Sequence, residues 1–166
     1  MNQILYHNFE GDRLHKDAYN KFVIAQQYLK ENHPDLKFIV FDALRPRSVS
    51  QKMWDYLEGS PFQKYVADPE KGSLHNFGMA IDLSLVDNNN KELDMGTTFD
   101  DFSELSQPIL ENKFLSEGKL SASQIENRMI LRSAMKSGGF EQLPYEWWHF
   151  NALPSDVVRN NYRIVE

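Results

Sequence analysis

The sequence predicts an α+β fold, with helices packed on a small, mainly antiparallel sheet. Three observations carry that prediction. Ala18, Phe22, Ala25 and Leu29 recur at helical spacing and form one apolar stripe. Residues 78–86 alternate with a period of two instead. A second helical run, Ile125 to Lys136, closes on Gly138-Gly139 ahead of a final aromatic stretch. Helices and strands thus succeed one another within one domain spanning residues 1–166, without repeats or a long linker.

The elements follow in order. Residues 13–31 read as a helix, ended by His33-Pro34. The run LKFIVFDA, 36–43, is rich in Phe, Ile and Val and reads as a buried strand, broken at Arg45-Pro46. Ser48 reads as the N-cap of a helix through Trp54 and Leu57, stopped near Gly59, with Trp54 in the core. In the strand 78–86, Met79, Ile81, Leu83 and Leu85 share the core face, while Ala80, Asp82 and Ser84 share a polar face. The run DNNNK, 87–91, is a hairpin-like turn leading to a short strand near Lys91 to Leu93. Residues 94–120 read as a long irregular connection with one short helix, a kind of segment that often carries function. Ser123 and Glu126 have capping-box spacing, and Tyr145 to Asn151 reads as the last strand.

Composition narrows the function classes. The 166 residues are 41% hydrophobic and 13% aromatic, which suits a globular core and excludes a disordered chain. A net charge of -6 disfavours nucleic acid or an anionic membrane as partner. No apolar stretch approaches the roughly 20 residues that a membrane span needs. With no cysteine, disulfides, thiolate nucleophiles and cysteine-based zinc sites are excluded. The opening MNQILYHNFEGD lacks the pattern of a secretory signal, and both cytoplasmic and periplasmic placement fit.

Two of the five histidines lie beside carboxylates at strand edges. His75 precedes Asp82 by seven residues, and Glu146 precedes His149 by three within YEWWHF. A catalytic zinc site uses three nitrogen or oxygen ligands and an open position, a set that His75, Asp82 and His149 supply. Glu146 remains as a base for water. On spacing alone this metal reading competes with a structural one, in which the same residues are hydrogen-bonded polar groups. In a regular strand Glu146 and His149 would point to opposite faces, so a shared site requires a bulge or a strand start between them.

Longer motifs add a resemblance. Ser73 to Asp82 fits S-x-H-x-x-G-x-A-x-D, and Glu146 to His149 fits E-x-W-H. Phe41-Asp42-Ala43-Leu44-Arg45-Pro46, Asp94-Met95-Gly96-Thr97 through Phe99-Asp100, Asn127-Arg128 through Ser133, Gly138-Gly139-Phe140 and Asn8-Phe9-x-Gly11 fall in matching order. Together they resemble the VanX-type zinc D-alanyl-D-alanine dipeptidases, within the wider group of D-Ala-D-Ala carboxypeptidases and Hedgehog-like domains. The resemblance implies one Zn²⁺ held by His75, Asp82 and His149, Glu146 as catalytic base, Arg45 stabilising the oxyanion, and Ser73 close to substrate. It implies hydrolysis of the dipeptide D-Ala-D-Ala in cell-wall turnover or recycling, with glycopeptide resistance a narrower role. The alternatives are a related zinc peptidase for other short peptides or muropeptides, and a zinc-binding module without catalysis. Retention of Glu146 and Arg45 argues against the module. Asp42, Asp82, Asp100 and Asp101 are the candidates for holding a substrate ammonium.

Overall fold

The computed structural model describes residues 13–60, 63 and 66–166, so the Asn8-Phe9-x-Gly11 segment lies outside the described residues. Helix α1 spans Lys16–Asn32, and its buried residues are the four of the predicted stripe. His15 caps it, its Nδ1 accepting the Asp17 backbone N–H at 3.2 Å. Strands β1 (Lys37–Asp42), β2 (Ala80–Val86), β3 (Glu141–Gln142) and β4 (His149–Asn151) form one antiparallel sheet in the order β1-β2-β4-β3. The α+β prediction therefore holds.

Position in the sheet corrects two expectations. β1 is an edge strand, and Ile39 and Val40 keep substantial exposure where a buried strand was expected. β2 is central, and all seven of its residues are buried, including the face expected to be polar. A strand flanked on both edges and covered on both faces shields its polar side chains too. Ser84 pays the cost, since its buried hydroxyl has no hydrogen-bond partner.

Helix boundaries moved for local reasons. Helix α2, Arg47–Tyr56, starts after Pro46, not from a Ser48 cap, because proline is already fixed at φ -55°. Trp54 is half-buried, not in the core. Helix α4, Ala122–Ser137, is opened by a capping box of Ser121 and Gln124, two residues before the Ser123–Glu126 pair expected to do this. Between β2 and α4 the connection holds a short helix α3, Glu111–Ser116, and two 3-10 turns, and Val86 pairs with Glu92 as an isolated bridge. A final helix α5, Ser155–Asn161, had no prediction.

The core joins the α1 stripe, Leu131, Ala134 and Met135 of α4, and Met79, Ile81, Leu83 and Leu85. Residues of the β2 face opposite to these leucines reach the candidate site. No helix among the described residues is long and apolar enough to cross a membrane.

Candidate active site

His75 sits in a 3-10 helix, Leu74–Phe77, just before β2. A capping box fixes this short helix: Ser73 Oγ accepts from His75 N–H, and Asn76 Oδ1 accepts from Ser73 N–H at 2.7 Å. The helix ends on Gly78 at φ +63°, where a Cβ would stand 2.7 Å from the His15 backbone nitrogen. Both the left-handed backbone and the close approach of α1 demand glycine there. The chain then enters β2 and presents Asp82 two peptide pleats later.

The other half of the site comes from β4. Residues 145–148 form a turn and β4 begins at His149, so the strand is shorter than the expected 145–151. This strand start lies between Glu146 and His149, which removes the alternation that would part them. Trp147 N–H donates to Ser106 O and its indole N–H to Thr97 Oγ1 at 2.8 Å, pinning the turn. Trp148 walls the pocket and Trp147 packs in the core, their rings perpendicular at 5.3 Å.

Pairing of β2 with β4 sets Asp82 opposite His149, and three side chains converge. His75 Nε2 and His149 Nδ1 are 3.2 Å apart. Asp82 carboxylate oxygens lie 3.3 Å from the first and 2.9 Å from the second. Each imidazole spends its proton elsewhere. His75 Nδ1–H donates to Ala43 O at 2.7 Å, and His149 Nε2–H donates to Asn151 Oδ1 at 2.9 Å. Two lone pairs and a carboxylate thus face one another with no donor between them. Such a buried set of acceptors is satisfied by a cation, and the outward hydrogen bonds are the usual support of metal-binding histidines. His75, Asp82 and His149 could hold a metal ion.

Electrostatics show the same pull on a cation: burial lowers the pKa of His149, but Asp82 overcomes it and raises it, so a proton is drawn to this position when no other cation is there. Burial pushes the Asp82 carboxyl up, but the two imidazoles outweigh it and hold the group well below the usual carboxylate range. Glu146 lies 3.9 Å from His149 Nδ1 with a side chain only 19% exposed. Burial raises its pKa, against the pull of His149 and with the push of Asp82. Asp100, on a loop at φ +60°, also faces the pocket; desolvation, then Asp82, pushes its carboxyl up to about 6.

Arg45 reaches the same pocket through a β-bulge. The register shifts between Val40 and Asp42, so Asp42 stands opposite Asp82 instead of Ile81. Asp42 Oδ2 then accepts from Nε and Nη2 of Arg45, and Nη2 lies 3.8 Å from Asp82. The Arg45 backbone is tied to the His75 segment as well: its N–H donates to His75 O and its carbonyl accepts from Asn76.

The structure thus brings His75, Asp82, His149, Glu146, Arg45 and Ser73 to one cavity of about 250 Å³. It also separates the four aspartates. Asp82 faces the imidazoles, Asp42 partners Arg45, Asp101 caps the Ser103 N–H, and Asp100 alone among the other three faces the cavity. Sequence reasoning missed the supports Ala43 and Asn151, because the first acts through its carbonyl and the second lies two residues past His149. It also missed Arg159 of α5, which lines the cavity.

The chain has relatives of known name. It is similar to the D-alanyl-D-alanine dipeptidase of Escherichia coli strain K12, 34% identical over 137 residues, covering 82% of this chain and 65% of that protein. It is similar to the D-alanyl-D-alanine dipeptidase of Synechocystis sp., 30% identical over 157 residues, covering 76% of this chain and 64% of that one. The Enterococcus faecium protein of the same name is 36% identical over 91 residues, 54% of this chain and 41% of its own. The match therefore spans less than two thirds of the length of each of the first two relatives. The family model described as D-ala-D-ala dipeptidase matches residues 10–165, and with the convergent His75, Asp82 and His149 already in place, this chain belongs to that peptidase family.

Proposed function

We propose that residues 1–166 act as one zinc-dependent dipeptidase domain that hydrolyses D-Ala-D-Ala to D-alanine, in cell-wall peptide turnover or recycling. The observation that carries the reading is the meeting of His75 Nε2, His149 Nδ1 and the Asp82 carboxylate, with Glu146 at the same cavity. Two neutral imidazoles and one carboxylate suit zinc and leave it a net positive charge. Zinc bound there supplies Lewis acidity, lowering the pKa of water and polarising the peptide carbonyl.

The side chains divide the remaining work. Glu146 takes the proton of the attacking water at its carboxylate and returns it to the leaving amine. Its partial burial raises its proton affinity, which suits both halves of that task. Arg45, oriented by Asp42, offers donors where negative charge develops on the carbonyl oxygen, a role commonly worth about 2.7–4 kcal/mol. Asp100 accepts the substrate ammonium, since it is the cavity carboxylate left once Asp82 faces the imidazoles and Glu146 serves as base. Ser73 stands beside the bound peptide at the opening of the His75 turn.

The test is D-alanine release from D-Ala-D-Ala by the purified protein, with chelator and with zinc added back. Chelator-sensitive, zinc-restored release is expected. No release from protein carrying stoichiometric zinc would overturn the D-Ala-D-Ala reading, and longer peptides would then be assayed.

A further inference from the structure

The cavity has charges of both signs, and most are already committed. Asp82 faces His75 and His149, and Arg45 is bonded to Asp42. Asp100 and Glu146 both line the cavity, and burial first, then Asp82, raises the proton affinity of each. The remaining cation is Arg159. Its guanidinium is held by the carbonyls of Lys71 and Gly72, the second at 2.8 Å, immediately before Ser73. These partners are neutral. Among the described residues no carboxylate lies within ion-pairing distance of it.

Two backbone carbonyls use two of the five guanidinium N–H groups and fix the plane of the fork. The rest remain for an anion, and a planar fork matches a carboxylate better than an ammonium would. The surroundings reinforce its sign. On its other side Arg159 borders a second, open cavity where Arg47, Lys71 and Arg163 outnumber the one carboxylate, Glu166, which pairs with Arg47. One cavity therefore carries two carboxylates, the candidate metal ligands and a fixed guanidinium in its lining. A peptide with both termini free presents the complementary charges.

We propose that Arg159 is the residue that receives the free C-terminal carboxylate of the dipeptide. The inference rests on the dipeptidase reading and adds a specificity-determining residue to it. With the ammonium at Asp100 and the carboxylate at Arg159, both in the lining of one cavity of about 250 Å³, the dipeptide is held at both ends. Arg159 acts in binding, so its loss falls on KM.

The experiment compares zinc-loaded wild type, Arg159→Met and Arg159→Lys on D-alanyl-D-alanine and on D-alanyl-D-alaninamide. Arg159→Met is expected to raise KM for the free acid by about 10- to 100-fold, the range of a charged hydrogen bond, with kcat nearly unchanged. Arg159→Lys should recover part of the loss, and the amide should respond to neither change. An equal loss on acid and amide would mean that Arg159 only braces residues 71–72, and would overturn the proposal, as would no loss at all. Binding of D-alanine and D-alaninamide, followed by the fluorescence of Trp148 in the cavity wall, separates this from failure of the dipeptidase reading. If wild type cleaves neither peptide, D-alanine binding that weakens in Arg159→Met and is absent for D-alaninamide sustains the proposal. Absent or unchanged D-alanine binding overturns it.

Discussion

The floor and the rim of the cavity are built differently. On the floor, His75 and Asp82 are nearly fully buried, on or beside the central strand, and His149 opens the strand paired with it. Each floor imidazole has a second hydrogen bond that fixes its orientation. On the rim, Asp100 sits on a loop with a left-handed backbone, and Arg159 projects from an exposed helix. The floor is preorganised by backbone pairing that few substitutions can alter. The rim is set by single side chains on loops, where specificity can change without disturbing the ligands.

The largest effect should come from breaking the floor. His149→Ala is expected to abolish stoichiometric zinc, read by metal analysis of the purified protein, and activity with it. Full zinc content in that variant would show that the ligand set is wrong. Next, Glu146→Ala should keep the metal and lose about 10²- to 10⁴-fold in kcat, the usual worth of a general base. Near-normal turnover would remove Glu146 from the mechanism.

Asp100→Asn tests the rim. It should retain zinc and raise KM by about 10- to 100-fold through loss of one charged hydrogen bond. A fall in zinc content would instead make Asp100 part of the floor. The smallest effect is in the pH profile. In their proposed roles Glu146 and Asp100 work as carboxylates, and burial raises the pKa of both. Protonation therefore removes activity as pH falls, and kcat/KM should decline on the acid side from near 6, above the ordinary carboxylate range. In Asp100→Asn the part of that decline carried by KM should vanish, leaving the kcat limb of Glu146.

Much of this was legible in the sequence, for reasons that differ by residue. The α1 stripe was readable because a helix that packs on one side must repeat every three to four residues. Ser73 to Asp82 was readable because capping, a left-handed glycine and a strand entry are all local. Caps were misplaced at Ser48 and Ser123, where several serines stand within one turn and the proline or an earlier serine wins. The burial of β2 and the exposure of β1 were not local properties. They follow from strand order, which no single segment encodes.

By itself the sequence determined the residue types of the site and the alternating helices and strands that carry them. Only the tertiary structure decided that β4 begins at His149, that a bulge swings Asp42 onto Arg45, and that α5 delivers Arg159. The reason is range. Caps, turns and periodicity arise from neighbours a few bonds away, whereas a cavity needs side chains from positions 45, 75, 82, 100, 146, 149 and 159. Their meeting depends on strand pairing and packing across the whole chain.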